Sequence, residues 1–561
     1  VAVILDDFSC LAFRYEWAQI EITPQNWYEE LQARPVDLLF VESAWSGNDK
    51  AWLYHLTGPT APRPALVELV QWCRAHGVPT VFWNKEDPVH FEDFLDTARL
   101  FDHVFTSCVD VAGRYREELG HDRVAPLSFA AQPMVHNPVR PAKGFQARDI
   151  AFAGMYFAHK YPERRAQMDL LLGAAQRVQG RMTHGLEIFS RQLGGDERYQ
   201  FPAPFDKRVV GTLSYPQMLS AYRAYKVFLN VNSVVDSPSM CARRIFEITA
   251  SGTPVVSAPS AAIEHFFTPD MVCQVGEAAE AEFALRALVR SPELRDRMVH
   301  LGQRRIWSMH TYAHRVDDVL TAAGVAGHRH ERPSVSVLVS THRPWRLDHV
   351  LQTVASQLEV SPQLLVLAHG FDLEDSALRA RAKEAGIVDV MVLHAGKDVP
   401  LGSCLNMLVE AADGAVVSKM DDDDLYGDHY LSDQLHALDY SGAQVVGKQA
   451  HFLYAAEIDA TILRYPEREH CYTDFVAGPT IMTNRDLLLK HPFPEVRRGE
   501  DSGFLRSTVA AGAQVYSSDR YNFVQMRYGS GHQHTWLASD AELLANAEVQ
   551  FYGKGLAHCM L

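Results

Sequence analysis

The chain has no CxxC pair and no Cys/His cluster. Its eight cysteines, Cys10, Cys73, Cys108, Cys241, Cys273, Cys404, Cys471 and Cys559, stand apart from one another. That spacing argues against a structural zinc site and makes reduced thiols in a cytoplasmic protein the expectation. Long uncharged apolar runs are also missing. Residues 1–5 are apolar, but Asp6 and Asp7 end that run well before a signal peptide or membrane span. An integral membrane segment is therefore not expected, and any membrane contact should be peripheral, at the inner face of the membrane. A basic excess is lacking too: the formal charge is -16, which argues against nucleic acid or an anionic lipid surface as the main partner. Anionic small ligands stay open, because a local arginine cluster can dominate inside a cleft. The first residue is Val1 rather than Met, as expected if a longer N-terminus has been trimmed.

What is present is an ordinary globular composition, 47% apolar and 22% charged. With 561 residues the chain exceeds one hydrophobic core, and three or four lobes are expected. Short apolar runs alternate with amphipathic stretches throughout, the pattern of doubly wound α/β lobes. Strands are expected at 1–5, 36–41, 78–83, 103–106 and 124–127, with a helix over 64–76 carrying Leu66, Leu69, Val70 and Cys73 at helical spacing. A second lobe is expected to use strands at 149–153, 186–189, 209–211, 227–230, 254–257 and 271–274, closed by a long helical region over 292–320. Residues 322–333 are small, polar and end in Pro333, the composition of a linker. A third unit restarts with a buried strand at 335–340, then a helix near 347–357 and strands at 364–368, 388–393 and 415–420. The division predicted is 1–140, 141–321, a linker at 322–333, and 334–561: two Rossmann-like lobes followed by a mixed α/β domain.

The strand at 415–420 runs straight into Asp421-Asp422-Asp423-Asp424. Four adjacent carboxylates repel, so the cluster costs stability unless a cation compensates. In an extended segment alternate side chains share a face, so Asp421 and Asp423 point together. That pairing suits a divalent ion whose remaining positions are filled by diphosphate oxygens.

Further segments join this one. Val335 to Pro344 is a buried strand ending in Ser340-Thr341-His342-Arg343-Pro344. Leu401-Gly402 with Asn406 precedes the acidic strand, and Arg498-Gly499-Glu500-Asp501 follows it. In that order the segments, over about residues 334–540, resemble family 2 glycosyltransferases of the GT-A fold. The resemblance implies a donor nucleotide held near Thr341, Arg343 and Asp422. It implies Mn2+ or Mg2+ on Asp421 and Asp423, and an inverting reaction with Asp501 as base and Glu500 positioning it. It also allows His532 or His534 to complete the metal's coordination or touch the diphosphate. Such enzymes usually carry an acidic pair after the second strand to read uracil. Here that place is Leu367-Ala368-His369-Gly370-Phe371-Asp372, which leaves Asp372 as the substitute or points to another base.

Ahead of the linker, Arg243-Arg244-Ile245-Phe246-Glu247 opens a helix that leads through Gly252 into a buried strand. Arg243 and Glu247 are four apart and share a helix face. A guanidinium can hold a diphosphate bidentately, and a carboxylate can accept both ribose hydroxyl protons. Gly154, after a strand, would let backbone amides approach phosphate. Glu42, Glu86 and Asp87 follow candidate strands of the first lobe, the usual ligand side of an open α/β sheet; His90 and Asn137 are lesser candidates. With Val41 to Trp45, Phe82 to Pro88, Phe152 to Tyr156 and Tyr161 to Arg165, these segments make residues 1–320 similar to GT-B glycosyltransferases of the spore-maturation-like group. The resemblance implies donor contacts from Arg243 or Arg244, Glu247, Tyr161, Arg165 and the Gly154 loop. No DxD-like motif stands in this part of the chain, so a metal-independent site is expected there. The glutamate pair spaced by seven residues in many retaining GT-B enzymes is absent, Ser239 standing where the first would fall.

The expectation is thus a tandem, bifunctional glycosyltransferase that uses nucleotide-sugar donors and a glycan or lipid-linked acceptor, in bacterial surface polysaccharide or glycoconjugate synthesis. Homo-oligomer association fits the same reading. The alternative is one active GT-A transferase with a non-catalytic GT-B module for binding or scaffolding. A sugar nucleotidyltransferase ranks below both, because the segment after the strand at 335–340 lacks the glycines such enzymes need.

Overall fold

The computed structural model describes residues 1–327, 331–528, 540–545 and 547–561. It divides into two compact units, Val1–Glu331 and Arg332–Leu561.

The first unit holds two six-stranded sheets, all parallel among the described residues. One runs in the order Ile20–Glu21, Ala2–Ile4, Leu39–Glu42, Thr80–Asn84, His103–Thr106, Val124–Pro126. The other runs Cys273–Gln274, Val255–Ser257, Tyr225–Asn230, Arg148–Gly154, Leu186–Ser190, Val209–Gly211. Helices cover both faces of parallel sheets, which is why central strands such as Leu39–Glu42 and Thr80–Asn84 are buried along their whole length. Proline opens the helices Pro64–Ala75, Pro162–Val178 and Pro292–Met309, where its missing N–H costs no hydrogen bond. The helical region expected over 292–320 is two helices. His310 and Thr311 leave helical geometry, and Thr311 starts Tyr312–Ala323 with a capping box shared with His314. That helix runs into the expected linker and stops at Gly324 in the left-handed region, φ 65°.

In the second unit an eight-stranded sheet runs Val390–Ala395, Gln363–His369, Val335–Thr341, Val416–Lys419, Met482–Asn484, Val445–Gly447, Val515–Ser517, Cys471–Thr473. Its first four strands are parallel, and Met482–Asn484 runs against both neighbours. A second sheet, not anticipated from the sequence, joins Leu425–Tyr426, Phe523–Arg527, His451–Ala455, Ala460–Arg464 and Ala547–Tyr552. No helix among the described residues is long and apolar enough to cross a membrane.

Candidate functional site

In the first unit the two sheets point the C-terminal ends of their strands at a shared cleft of about 510 Å³. Glu86 and His90 reach it from the loop after Thr80–Asn84. Gly154, Arg191 and Ser233 reach it from the ends of Arg148–Gly154, Leu186–Ser190 and Tyr225–Asn230. Ligand sites collect at such strand ends because loops there diverge from a rigid sheet.

Four guanidinium groups converge on this cleft: Arg164, Arg191, Arg243 and Arg244. Glu86 is the one carboxylate among the described residues that line it, so a chain of net charge -16 carries a locally basic pocket. Burial holds the Arg164 pKa down at about 10, and Arg244 and Arg191 add repulsion. Arg244 is lowered too, chiefly by burial. Arg164 donates to Ser233 Oγ at 2.6 Å, while its buried Nε finds no partner among the described residues. A cluster of repelling cations with an unspent donor is arranged for an anion.

Glu247 lies behind this wall, 1% exposed. Its carboxylate accepts from Tyr215 Oη at 2.9 Å and Tyr222 Oη at 3.0 Å, and Arg243 Nη1 stands 3.1 Å away. Burial alone would raise its pKa, but Arg243, His136 and the two hydroxyls hold it below the usual carboxylate range. Arg243 is steadied on its other side by the Phe8 ring, whose centroid lies 3.7 Å from the guanidinium carbon. Glu247 therefore meets the cleft through Tyr215 and Arg243, both of which line it.

The remaining candidates of this unit separate. Glu42 is fully buried, accepting from Ser9 Oγ at 2.6 Å and Lys85 Nζ at 2.8 Å. Asp87 is buried as well, held by Asn84 Nδ2 at 2.8 Å and Thr106 Oγ1 at 2.5 Å, and burial pushes its pKa up to about 7. Neither lines the cleft, whereas Glu86 and His90 do. The split is made in the turn after Thr80–Asn84, where Asp87 folds back onto Asn84 and Thr106 while Glu86 and His90 face the cleft. Tyr161 lines the cleft with φ 54°, and Arg164 lines it in place of Arg165. Arg165 instead folds back onto the carbonyls of Phe157 at 2.9 Å and Lys160 at 2.5 Å. Asn137 is buried, its Nδ2 donating to the Pro133 carbonyl at 2.9 Å. Arg164, Arg191 and Tyr215 were not singled out in the sequence.

In the second unit the acidic run alternates. The side chains of Asp421 and Asp423 are 39% and 15% exposed, and those of Asp422 and Asp424 are buried. Asp422 accepts from Thr341 Oγ1 and pairs with Arg343 at 3.2 Å, and burial pushes its pKa up to about 6. Asp424 Oδ1 accepts from the Met526 amide at 2.8 Å. Arg343 also pairs with Asp423, and Lys419 Nζ sits 3.3 Å from Asp421 and 2.8 Å from Asp501. Hard oxygen donors exposed in alternation are the kind of set that holds Mg2+ or Mn2+.

Asp501 lies in the first turn of the helix Glu500–Ala510, which Gly499 precedes at φ 83°. Its Oδ1 is buried with no partner among the described residues. The approach to this helix is clamped by the Leu401–Ala411 helix: Asn406 exchanges two 2.9 Å hydrogen bonds with the backbone of Phe493, and Gly402 gives Pro494 its place. A Cβ on Gly402 would stand 1.8 Å from the Pro494 carbonyl oxygen. Glu500 is buried, which raises its pKa, with Asp501 adding repulsion. Asp372 is exposed on the loop after Gln363–His369. His532 and His534 lie outside the described residues.

Two parallel sheets flanked by helices thus face one arginine-lined cleft in the first unit. Residues 165–321 match the family model described as glycosyl transferase-like, so the chain carries a glycosyltransferase-like enzyme module in its second lobe. No curated protein matches the chain. Among solved structures, a mannosyltransferase, PcManGT from Pyrobaculum calidifontis in complex with GDP-Man and Mn2+, is 18% identical. That match covers 37% of this chain and 61% of that one, with a TM-score of 0.30. Residues 1–349 of S. aureus TarS with UDP-GlcNAc are 19% identical over 37% of this chain and 62% of that one, TM-score 0.29. TarM is 12% identical over 54% and 58%, TM-score 0.35. These are weak global likenesses, and the chain spans about six tenths of the structures it matches.

Proposed function

We propose that this chain is a tandem glycosyltransferase with one nucleotide-sugar site in each unit, the first of GT-B type and metal-independent, the second of GT-A type, metal-dependent and inverting. The observation that carries the proposal is the convergence of Arg164, Arg191, Arg243 and Arg244 in one cleft bordered by the family-matched segment. A leaving diphosphate carries its charge to the oxygens those guanidinium groups face, so arginines can supply the stabilisation there. Gly154 leaves the backbone accessible beside them, and Glu86 is the first-lobe carboxylate placed to accept the acceptor's proton, with His90 next to it.

In the second unit Asp421 and Asp423 would hold a divalent cation, which when bound neutralises the donor's diphosphate. Thr341 and Arg343 fix Asp422 and Asp423 around it. Asp501, whose Oδ2 pairs with Lys419 and whose side chain is 20% exposed, takes the proton of the acceptor hydroxyl. The acceptor is a glycan or a lipid-linked sugar, and the two activities add successive sugars to a bacterial surface glycan.

One observation favours the alternative in which the first unit only binds or scaffolds: Glu247 is 1% exposed behind Tyr215 and Tyr222, and so is not open to ribose hydroxyls. A nucleotide-sugar panel, with and without Mn2+, on wild type, Arg244→Ala and Asp423→Asn separates the readings. Two transfer activities are expected, one abolished by Arg244→Ala and indifferent to Mn2+, the other abolished by Asp423→Asn or by removing Mn2+. If Arg244→Ala alters neither transfer nor donor binding, the first-unit site is refuted.

A further inference from the structure

Glu42 ends the strand Leu39–Glu42, fully buried and off the cleft, and it holds a helix rather than a ligand. Its Oε1 accepts from the Asp6 amide at 2.6 Å and its Oε2 from Ser9 Oγ at 2.6 Å. One carboxylate thus clasps the start of the helix Asp7–Phe13 and satisfies an amide that a helix start leaves without an intrahelical partner. Lys85 Nζ, also buried, completes the cluster at 2.8 Å from Glu42 and 2.6 Å from Asp6. These contacts leave the first turn of the helix little freedom.

Phe8 stands in that turn. The centroid of its ring lies 4.3 Å from Lys85 Nζ and 3.7 Å from the guanidinium carbon of Arg243. Lys85 belongs to the first lobe, whereas Arg243 opens the helix Arg243–Ala250 of the second. Two cations are therefore drawn to one π-system across the lobe boundary, although their charges repel. Tyr215 joins them from the second lobe, edge-on to Phe8 at 6.4 Å and with its ring 5.2 Å from the Arg243 guanidinium carbon. Arg243 is thus held by Phe8 from one lobe and by Glu247 and Tyr215 from its own, while its side chain, 21% exposed, lines the cleft.

That hold matters for a ligand. An arginine side chain is rich in rotamers, and fixing it when a ligand arrives costs affinity. A guanidinium already seated on an aromatic face has lost that freedom beforehand. Without the ring, Glu247 is the strongest partner left to Arg243, and it lies behind the cleft wall. The guanidinium would then turn back onto that carboxylate and away from the cleft.

We infer that Phe8 is a positioning residue for the anionic ligand of the first-unit cleft: clasped through Glu42 and Lys85 in one lobe, it sets Arg243 of the other where a nucleoside diphosphate meets it. This inference rests on the reading of that cleft as a nucleotide-sugar site.

Calorimetric titration of the intact chain with GDP and UDP tests it, with divalent cations chelated so that the metal-dependent site is silent. Phe8→Leu keeps the apolar volume and removes the aromatic face, and should weaken binding about fivefold to tenfold. Phe8→Tyr keeps the face and should stay within about twofold of wild type. In an Arg243→Gln background Phe8→Leu should change binding by less than about twofold, because the residue it acts through is gone. A merely structural role would cost the same in both backgrounds. Wild-type affinity in Phe8→Leu, an equal loss in Phe8→Tyr, or an equal loss with and without Arg243 overturns the inference. Binding lost in Arg244→Ala but unchanged in Phe8→Leu overturns it while leaving the nucleotide site standing. No nucleotide bound by chelated wild type removes both.

Discussion

Gly478→Ala moves one carboxylate and little else. A Cβ at Gly478 would stand 1.9 Å from Asp501 Oδ2, 2.6 Å from its Cγ and 3.1 Å from its Cβ. Reaching an ordinary contact of 3.4 Å obliges the Asp501 carboxylate to retreat by about 1.5 Å. The carboxylate lies 2.8 Å from Lys419 Nζ, so that retreat breaks the ion pair, while Lys419 keeps Asp421 at 3.3 Å. A lost charge-assisted hydrogen bond in a mostly buried pair costs about 1.5–3 kcal/mol. Misplacing a reacting group by about 1 Å costs about a hundredfold in rate. Gly478→Ala should therefore cut Mn2+-dependent transfer about a hundredfold or more while lowering unfolding free energy by no more than about 3 kcal/mol. Gly396→Ala is the control, because a Cβ there meets nothing within 4 Å. Initial rates and urea unfolding read both quantities. Full Mn2+-dependent activity in Gly478→Ala would refute the assignment of Asp501 as the group that accepts the proton.

Other outcomes follow from the first unit. Asp87 keeps its proton in the fold up to about pH 7, while the unfolded chain loses it near pH 4, so this residue's contribution to stability falls as pH rises through that window. Asp87→Asn should remove a pH-dependent loss on the order of 4 kcal/mol between pH 4 and 7; parallel wild-type and variant stability curves across that range would contradict this. Arg164→Ala should weaken binding of a nucleoside diphosphate by about tenfold to a hundredfold, the worth of a charge-assisted hydrogen bond, with little change in melting temperature; calorimetric titration reads the first and thermal unfolding the second. Glu247→Ala leaves Arg243, Tyr215 and Tyr222 without their common partner and should cost about 3–5 kcal/mol of stability, whereas Glu247→Gln should cost less; equal urea midpoints for all three proteins would show that Glu247 is not a strut.

Much of the fold is legible in the sequence because parallel strands are buried on both faces and read as unbroken apolar runs. The runs at 36–41 and 103–106 meet the observed Leu39–Glu42 and His103–Thr106 within a few residues. The second sheet of the second unit is not legible. Leu425–Tyr426 and Phe523–Arg527 pair across about a hundred residues, and Ala547–Tyr552 has no fully buried position. The break at His310 and Thr311 had a signal, a threonine able to cap the helix after it. The candidate sites divide in the same way. Asp421 to Asp424 stand out because adjacent charges are conspicuous; their sequence reads as extended, whereas residues 422–424 form a turn after Val416–Lys419 in which burial still alternates. Arg164 and Arg191 were hidden because their convergence with Arg243 and Arg244 is made by three separate strand ends. Glu42 and Asp87 lie at or just after strand ends as expected, but their partners Lys85 and Thr106 hold them inside the lobe.

The stoichiometry of nucleotide binding tests the central claim most directly. Equilibrium titration of the intact chain with UDP and GDP, saturating and in combination, should give two bound nucleotides per chain with Mn2+ and one after chelation. The residual site should disappear in Arg244→Ala and persist in Asp423→Asn. A single nucleotide per chain under every condition, or two that survive chelation unchanged, would contradict two sites of different chemistry.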